Sequence, residues 1–285
     1  MPSRSEITYF GAGPAPLPTE ILENAAKALV DYDNTGLGIA EHSHRSKIAT
    51  TIINEAKADL VSYLDILDNY EIIFMHGGGG GFITSLALGL LASIPDLKSA
   101  VKNLKMDYII TGGWSQKAAA EAERLFGSEH VNIVADSRET NGGKFGTIPD
   151  ESTWNLSRQA ALDRIADMSS NILSRTIPIK NFSAIFFGAQ KNLGLTGITV
   201  VIIDRSFSPQ PSAALMRQLA LPIPPRILEY ETIVKNNSLY NTLSILDVYV
   251  AGQVLKRLLQ QYPDKVQGQQ AVSKEKAQRI YTALP

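Results

Sequence analysis

Short apolar runs, many of them β-branched, alternate along the chain with longer amphipathic stretches. Tyr70 to Met75 forms one such run and leads through five glycines, Gly77 to Gly81, into an apolar helical pattern from about Phe82. Asp107 to Thr111 runs into Gly112-Gly113-Trp114-Ser115 and then an alanine-rich helix ending at Phe126. Val131–Ala135, Ser183–Phe187 and Ile198–Ile203 supply a third, fourth and fifth strand. Ahead of them, Thr19 is placed to cap a helix through Asp31, with Ile21, Ala25, Ala28 and Leu29 on one side. A second helix, Lys47–Leu64, lines up Ile48, Ile52, Ala56, Leu60 and Leu64. A third runs from Ser244 to Gln261, and after Tyr262-Pro263 the pattern is polar and helical. Pro209 to Pro225 reads as an insertion or mobile loop. Strands alternating with helices predict an α/β fold whose mainly parallel sheet is covered by helices on both faces.

Composition narrows the function. At 285 residues the chain is long enough for about two domains. With 44% hydrophobic and 19% charged residues it can bury a large core. Lys plus Arg number 27 against 28 Asp plus Glu, which argues against a nucleic-acid coat or a polybasic membrane binder. Cysteine is absent, which removes disulfides, thiol nucleophiles, iron–sulfur clusters and thiolate zinc sites. Met1–Glu6 lacks the apolar core of a signal peptide, and polar residues break the greasiest window, Phe82–Ile94. The expectation is a cytoplasmic protein.

In an open parallel sheet, ligands bind beyond the carboxyl ends of the strands, and four groups lie at such ends. The glycine run between strand and helix can offer its amides to a phosphate, although a plain flexible turn carries about half the weight there. Trp114 can give a flat face to an aromatic ring; taken alone, a core tryptophan is about twice as common. Asp167, in Ala166-Asp167-Met168-Ser169-Ser170-Asn171, can hold a protonated ring nitrogen, or simply close an Asx-turn. Lys191 follows the most hydrophobic strand, where an amine of lowered basicity attacks a carbonyl to form a Schiff base. A solvent-facing loop lysine is its ordinary alternative. Together these are the contacts pyridoxal 5′-phosphate (PLP) needs: a phosphate cradle, a stacking face, a pyridinium partner and an imine lysine. A metal pair at His42 and His44 has no convincing third ligand nearby.

With these stretches on view, the chain resembles the phosphoserine aminotransferases, class V enzymes of PLP fold-type I. The resemblance is carried by Tyr9-Phe10-Gly11-Ala12-Gly13-Pro14-Ala15, Ser43-His44-Arg45-Ser46, the glycine run and Thr111–Ser115. Ser152-Thr153-Trp154-Asn155-Leu156, Ala166–Asn171, Gly188-Ala189-Gln190-Lys191-Asn192 and Asn237-Ser238-Leu239-Tyr240-Asn241-Thr242 complete it. It implies that Lys191 is the Schiff-base lysine, Asp167 the pyridinium partner and Trp114 the stacking residue. Gln190 and the amides of Gly79 and Gly80 would then hold the cofactor phosphate. Asn241 and Thr242 would reach the neighbouring subunit's phosphate, implying a homodimer with shared sites, and Arg45 with His44 would bind the substrate anion. A PLP-binding domain over 16–260 would follow an N-terminal segment, 1–15, and residues 261–285 would open a small domain.

Three departures from the family accompany the resemblance. Only Asn155 to Ala166 separate Trp154 from Asp167, too little for the family's strand, its Asn-Glu-Thr motif and a further buried strand, and Gln159–Ala166 reads as helix. The C-terminal domain with its substrate-binding arginines has no counterpart before Pro285. Gly81 leads directly to Phe82, where the family often has a larger residue and a glutamine. The expected reaction transfers the amino group of L-glutamate to 3-phosphohydroxypyruvate, giving O-phospho-L-serine and 2-oxoglutarate, with low turnover. A non-catalytic PLP-binding or dimerising remnant is the main rival. Another class V transamination, such as alanine–glyoxylate, is disfavoured by Ser43–Ser46 and Asn237–Thr242.

Overall fold

A computed structural model describes residues 3–77, 105–157, 164–207 and 211–283. The chain divides into two compact units: residues 1–77, 164–205 and 233–285 form one, and 78–163 with 206–232 the other.

In the first unit, α1 (Thr19–Val30) and α2 (Lys47–Leu64) precede β1 (Tyr70–His76). The helix predicted from a Thr19 cap begins one residue earlier: Pro18 holds the cap position and Thr19 is the first helical residue. Asp31 lies past the helix, where its Oδ1 accepts from the Gly36 N–H at 2.9 Å. Ser46 caps α2, its Oγ accepting from the Ala49 N–H at 3.1 Å.

The second unit contains β2 (Met106–Ile110), α3 (Gly113–Phe126) and β3 (Val131–Asp136). The two strands pair in parallel, and α3 packs on them through Ala122 and Phe126, which cluster with Met106 and Tyr108 of β2 and Val131 of β3. Burial pushes the Tyr108 hydroxyl up to about 12. The Ser152–Leu156 stretch is scaffold here. Asp150 Oδ1 accepts from the Ser152 N–H and Oγ, the Trp154 Nε1–H donates to Pro149 O, and the Asn155 N–H donates to Val134 O on β3.

The chain returns to the first unit as β4 (Ile165–Asp167), β5 (Ala184–Gly188) and β6 (Ile198–Asp204). After β6 come α4 (Ala213–Gln218), α5 (Tyr230–Lys235), α6 (Ile245–Gln261) and α7 (Val266–Ala283). The described sheet of this unit has the order β1-β6-β5-β4. β6 is antiparallel to both its neighbours, while β4 and β5 are parallel. The sheet is therefore mixed: β1, β4 and β5 run one way and β6 opposes them. β5 and β6 are buried at nearly every position, so they read as continuous apolar runs rather than alternating ones. Ile185, Phe187, Val200 and Ile202 share one core with α1, α2 and α6. Small residues set the approach of α2 to α6, since a Cβ at Gly252 would meet Ala56 Cβ at 3.6 Å.

Two local expectations change. Ile165 and Ala166 are strand rather than helix, paired with Ala184 and Ile185, and Arg164 before them is not helical; Gln159–Asp163 of that stretch lie outside the described residues. Part of the proline-rich 209–225 segment is helical: Ser212 Oγ accepts from the Leu215 N–H at 3.2 Å, and Met216 is buried. Among the described residues, no helix is long and apolar enough to cross a membrane.

Candidate active site

The strand directions gather chemistry at one edge of the first unit's sheet. The carboxyl ends of β1, β4 and β5 lie beside the start of β6, with His76 opposite Ile198, Gly188 opposite Thr199 and Asp167 opposite Phe186. Asp167 closes β4, and Lys191 follows β5 by three residues, so both functional groups emerge from neighbouring parallel strands at the same end.

Lys191 is partly buried, and its Nζ donates to Ala12 O. The N-terminal segment is laid over this turn, with the Ala15 N–H donating to Gln190 O at 2.9 Å. Gly13, at φ 120°, leaves room for the amine: a Cβ there would strike Lys191 Nζ. Gly188 does the same for Gln190, whose side-chain amide folds over the space a Cβ would fill. The Asp167 loop is laced to the same strand end. Asp167 Oδ1 accepts from the Ser169 N–H at 2.9 Å, Ser169 Oγ accepts from the Gly188 N–H at 3.1 Å, and Asn192 Nδ2 donates to Ile172 O at 2.8 Å. Asp167 thus forms the expected Asx-turn and still presents an exposed carboxylate.

Arg45 and His44 sit just ahead of the capped N-terminus of α2. Arg45 is exposed with no ion-pair partner among the described residues, and His44 Nε2 is buried without a hydrogen-bond partner. His42 turns elsewhere: its Nε2 lies 3.0 Å from Thr35 Oγ1 and its ring packs edge-on against Tyr32. No cluster of metal-ligating side chains occurs among the described residues.

Asn241 and Thr242 are exposed, and Asn241 Oδ1 accepts from the Thr242 N–H at 2.8 Å. His76 Nε2 lies 2.5 Å from Thr242 O, tying this pair to the end of β1. His76 escaped the sequence reading because its partner lies 166 residues away and the contact is to backbone. Trp114 belongs to the second unit. It is 61% exposed, so it is not a core tryptophan, and Lys117 Nζ lies 4.8 Å from its ring centroid. Ser115 Oγ accepts from the Thr111 and Gly112 N–H groups, fixing the turn that carries it. Gly79 and Gly80 lie outside the described residues.

These groups fit a phosphorylated pyridine aldehyde: a primary amine in a glycine-lined niche, a carboxylate on the adjacent strand, and an amide beside the amine. Gly13→Ala is expected to displace Lys191 Nζ and weaken capture of PLP about tenfold, read by absorbance titration, and to lower the melting temperature because alanine is strained at this positive φ.

An amine and a carboxylate thus stand at the ends of adjacent parallel strands of an α/β sheet. The class V aminotransferase family model matches residues 7–122 and 139–284, and the chain belongs to that family. It is 37% identical over 316 residues to the phosphoserine aminotransferase of Saccharomyces cerevisiae, an alignment covering 99% of this chain and 78% of that one. Among solved structures, the phosphoserine aminotransferase of Bacillus circulans subsp. alkalophilus superposes with a TM-score of 0.81 at 32% identity, covering 96% of this chain and 75% of the other. The PLP-bound phosphoserine aminotransferase of Trichomonas vaginalis gives 0.80 at 29% identity, covering 95% and 80%.

Proposed function

We propose that the chain is a PLP-dependent phosphoserine aminotransferase, moving the amino group of L-glutamate to 3-phosphohydroxypyruvate to form O-phospho-L-serine and 2-oxoglutarate in serine biosynthesis. The observation that carries this reading is the placement of Asp167 at the end of β4 and of Lys191 just past the end of its parallel neighbour β5, in a chain 37% identical to an enzyme of that name.

Bound PLP supplies an electron sink for the pair of electrons left when the substrate Cα loses its proton. Lys191 Nζ would be the amine that holds the cofactor, and it would move the proton at the substrate Cα as general base and acid. Asp167 keeps a proton on the ring nitrogen through a charge-assisted hydrogen bond. Trp114 offers its exposed face to the ring. Gln190, with the amides of Gly79 and Gly80, binds the phosphate. Arg45 and His44 bind the substrate anion, for which a guanidinium gives a two-pronged donor. Asn241 and Thr242 serve the neighbouring subunit's phosphate, which makes the active form a homodimer. The compartment proposed is the cytoplasm.

The test adds PLP to the purified chain and follows the imine absorbance band, its loss on borohydride reduction, and glutamate-dependent turnover of phosphohydroxypyruvate in a coupled assay. Light scattering should report a dimer. An imine band without turnover would return the chain to the PLP-binding remnant reading, and no band at all would leave only the dimerising remnant.

A further inference from the structure

The Asn237–Thr242 loop is held in place by a partly buried lysine that the reaction does not use. Asn237 and Ser238 sit consecutively at φ 47° and 70°, a left-handed pair that side-chain-bearing residues adopt only when anchored. Each has its anchor. Lys57 Nζ, on α2, donates to Asn237 Oδ1 at 2.7 Å, and Asn237 Nδ2 donates onward to Asn54 Oδ1 at 2.9 Å. Ser238 is buried, and its Oγ accepts from the Phe74 N–H of β1 at 2.9 Å. From these two fixed residues the chain has only Leu239 and Tyr240 before Asn241.

We propose that Lys57 is a positioning residue, whose ammonium acts through Asn237 to set the 237–242 loop and so the presentation of Asn241 and Thr242. The presentation rests on the function proposed above; the loop geometry does not. An apolar side chain would fill this partly buried position without desolvating a charge, whereas the ammonium here meets the Asn237 side-chain oxygen. Burial lowers the Lys57 amine to about 8, with Glu71 of β1 acting in the opposite direction. Glu71 is itself paired with Arg205 at 2.9 Å. Near neutral pH Lys57 is therefore the charged donor of a charge-assisted bond, and it loses that charge in mildly alkaline solution.

The experiment compares the full chain with Lys57→Met by hydrogen exchange and PLP titration. In the variant, the amides of Phe74, Ser238, Leu239 and Leu243, all bonded within or onto this loop, should exchange at least tenfold faster. Those of β5 should stay within twofold. The PLP dissociation constant should rise about tenfold at neutral pH, and that ratio should shrink above pH 8 as the wild type loses its own ammonium. Asn237→Gly keeps the left-handed backbone accessible but removes both side-chain bonds, and should reproduce the loop release. It decides the matter if Lys57→Met does not fold. Lys256→Met, which breaks a separate pair with Glu55, should leave the loop and PLP binding unchanged. Loop and β5 amides accelerating equally, unchanged loop amides, or a pH-independent affinity ratio would each overturn the proposal. Failure of the wild type to bind PLP would instead sink the functional reading, and the exchange data would still decide the role of Lys57.

Discussion

Lys191→Ala is expected to lower transamination by at least about 10⁴-fold and to abolish the borohydride-trapped adduct. Two contributions vanish together. The amine that captures the aldehyde is gone, and so is the group that moves the Cα proton, a role worth about 10²–10⁴-fold by itself. The fold should survive. Lys191 lies in the turn after β5, and its described hydrogen bond is to the Ala12 carbonyl, so its removal should cost about 1 kcal/mol or less. Steady-state turnover, mass spectrometry after reduction, and a thermal melt check the three parts. Added methylamine should restore part of the proton transfer, since a diffusing amine can enter the space the side chain vacates. Near wild-type turnover, or an adduct that persists in the variant, would mean that another amine does the work and would remove Lys191 from the centre of the site.

That expectation could be framed from sequence because the relevant signals are local. An apolar strand ending in Gly188-Ala189-Gln190-Lys191 places an amine at a sheet edge whatever the rest of the fold does. The same holds for Asp167, Trp114 and the capped entry to α2 behind Arg45. The helices were legible for a similar reason: Lys47–Leu64 carries its own apolar stripe and its own cap at Ser46.

What stayed hidden depended on partners distant in sequence. The run Ile198–Asp204 has no feature that encodes its direction, and only pairing with β1 and β5 reveals that it opposes them. Ile165–Asp167 is too short to display a period of two, and it is a strand because β5 supplies its hydrogen bonds. Ala213–Gln218 stays helical among prolines through one serine cap and one buried methionine. In the site, Ala12 against Lys191, Thr242 against His76 and Asn237 against Lys57 are each separated by well over a hundred residues. The resemblance marked Asn237–Thr242 as one functional stretch. The structure divides its labour, with Asn237 and Ser238 anchored inward and Asn241 and Thr242 exposed.

The burial of Lys57 also carries a consequence for stability. Its amine titrates at about 8 in the folded chain against an ordinary value of 10.5. Between those values the unfolded chain holds a proton that the folded chain has released, so the free energy of unfolding rises with pH across the window. At about 1.36 kcal/mol for each unit of difference, the gain from about pH 7.5 to about pH 9.5 is roughly 2 kcal/mol. The window closes from above. Burial holds the Tyr63 and Tyr108 hydroxyls up to about 12, so the unfolded chain loses those protons first and stability falls again beyond about pH 10. Urea unfolding followed at several values between pH 7.5 and 9.5 should therefore show a midpoint that climbs with pH. In Lys57→Met the climb should be absent, because the group that releases the proton on folding is gone. A wild-type midpoint that is flat or falls through this range would mean that Lys57 keeps its proton in the folded chain.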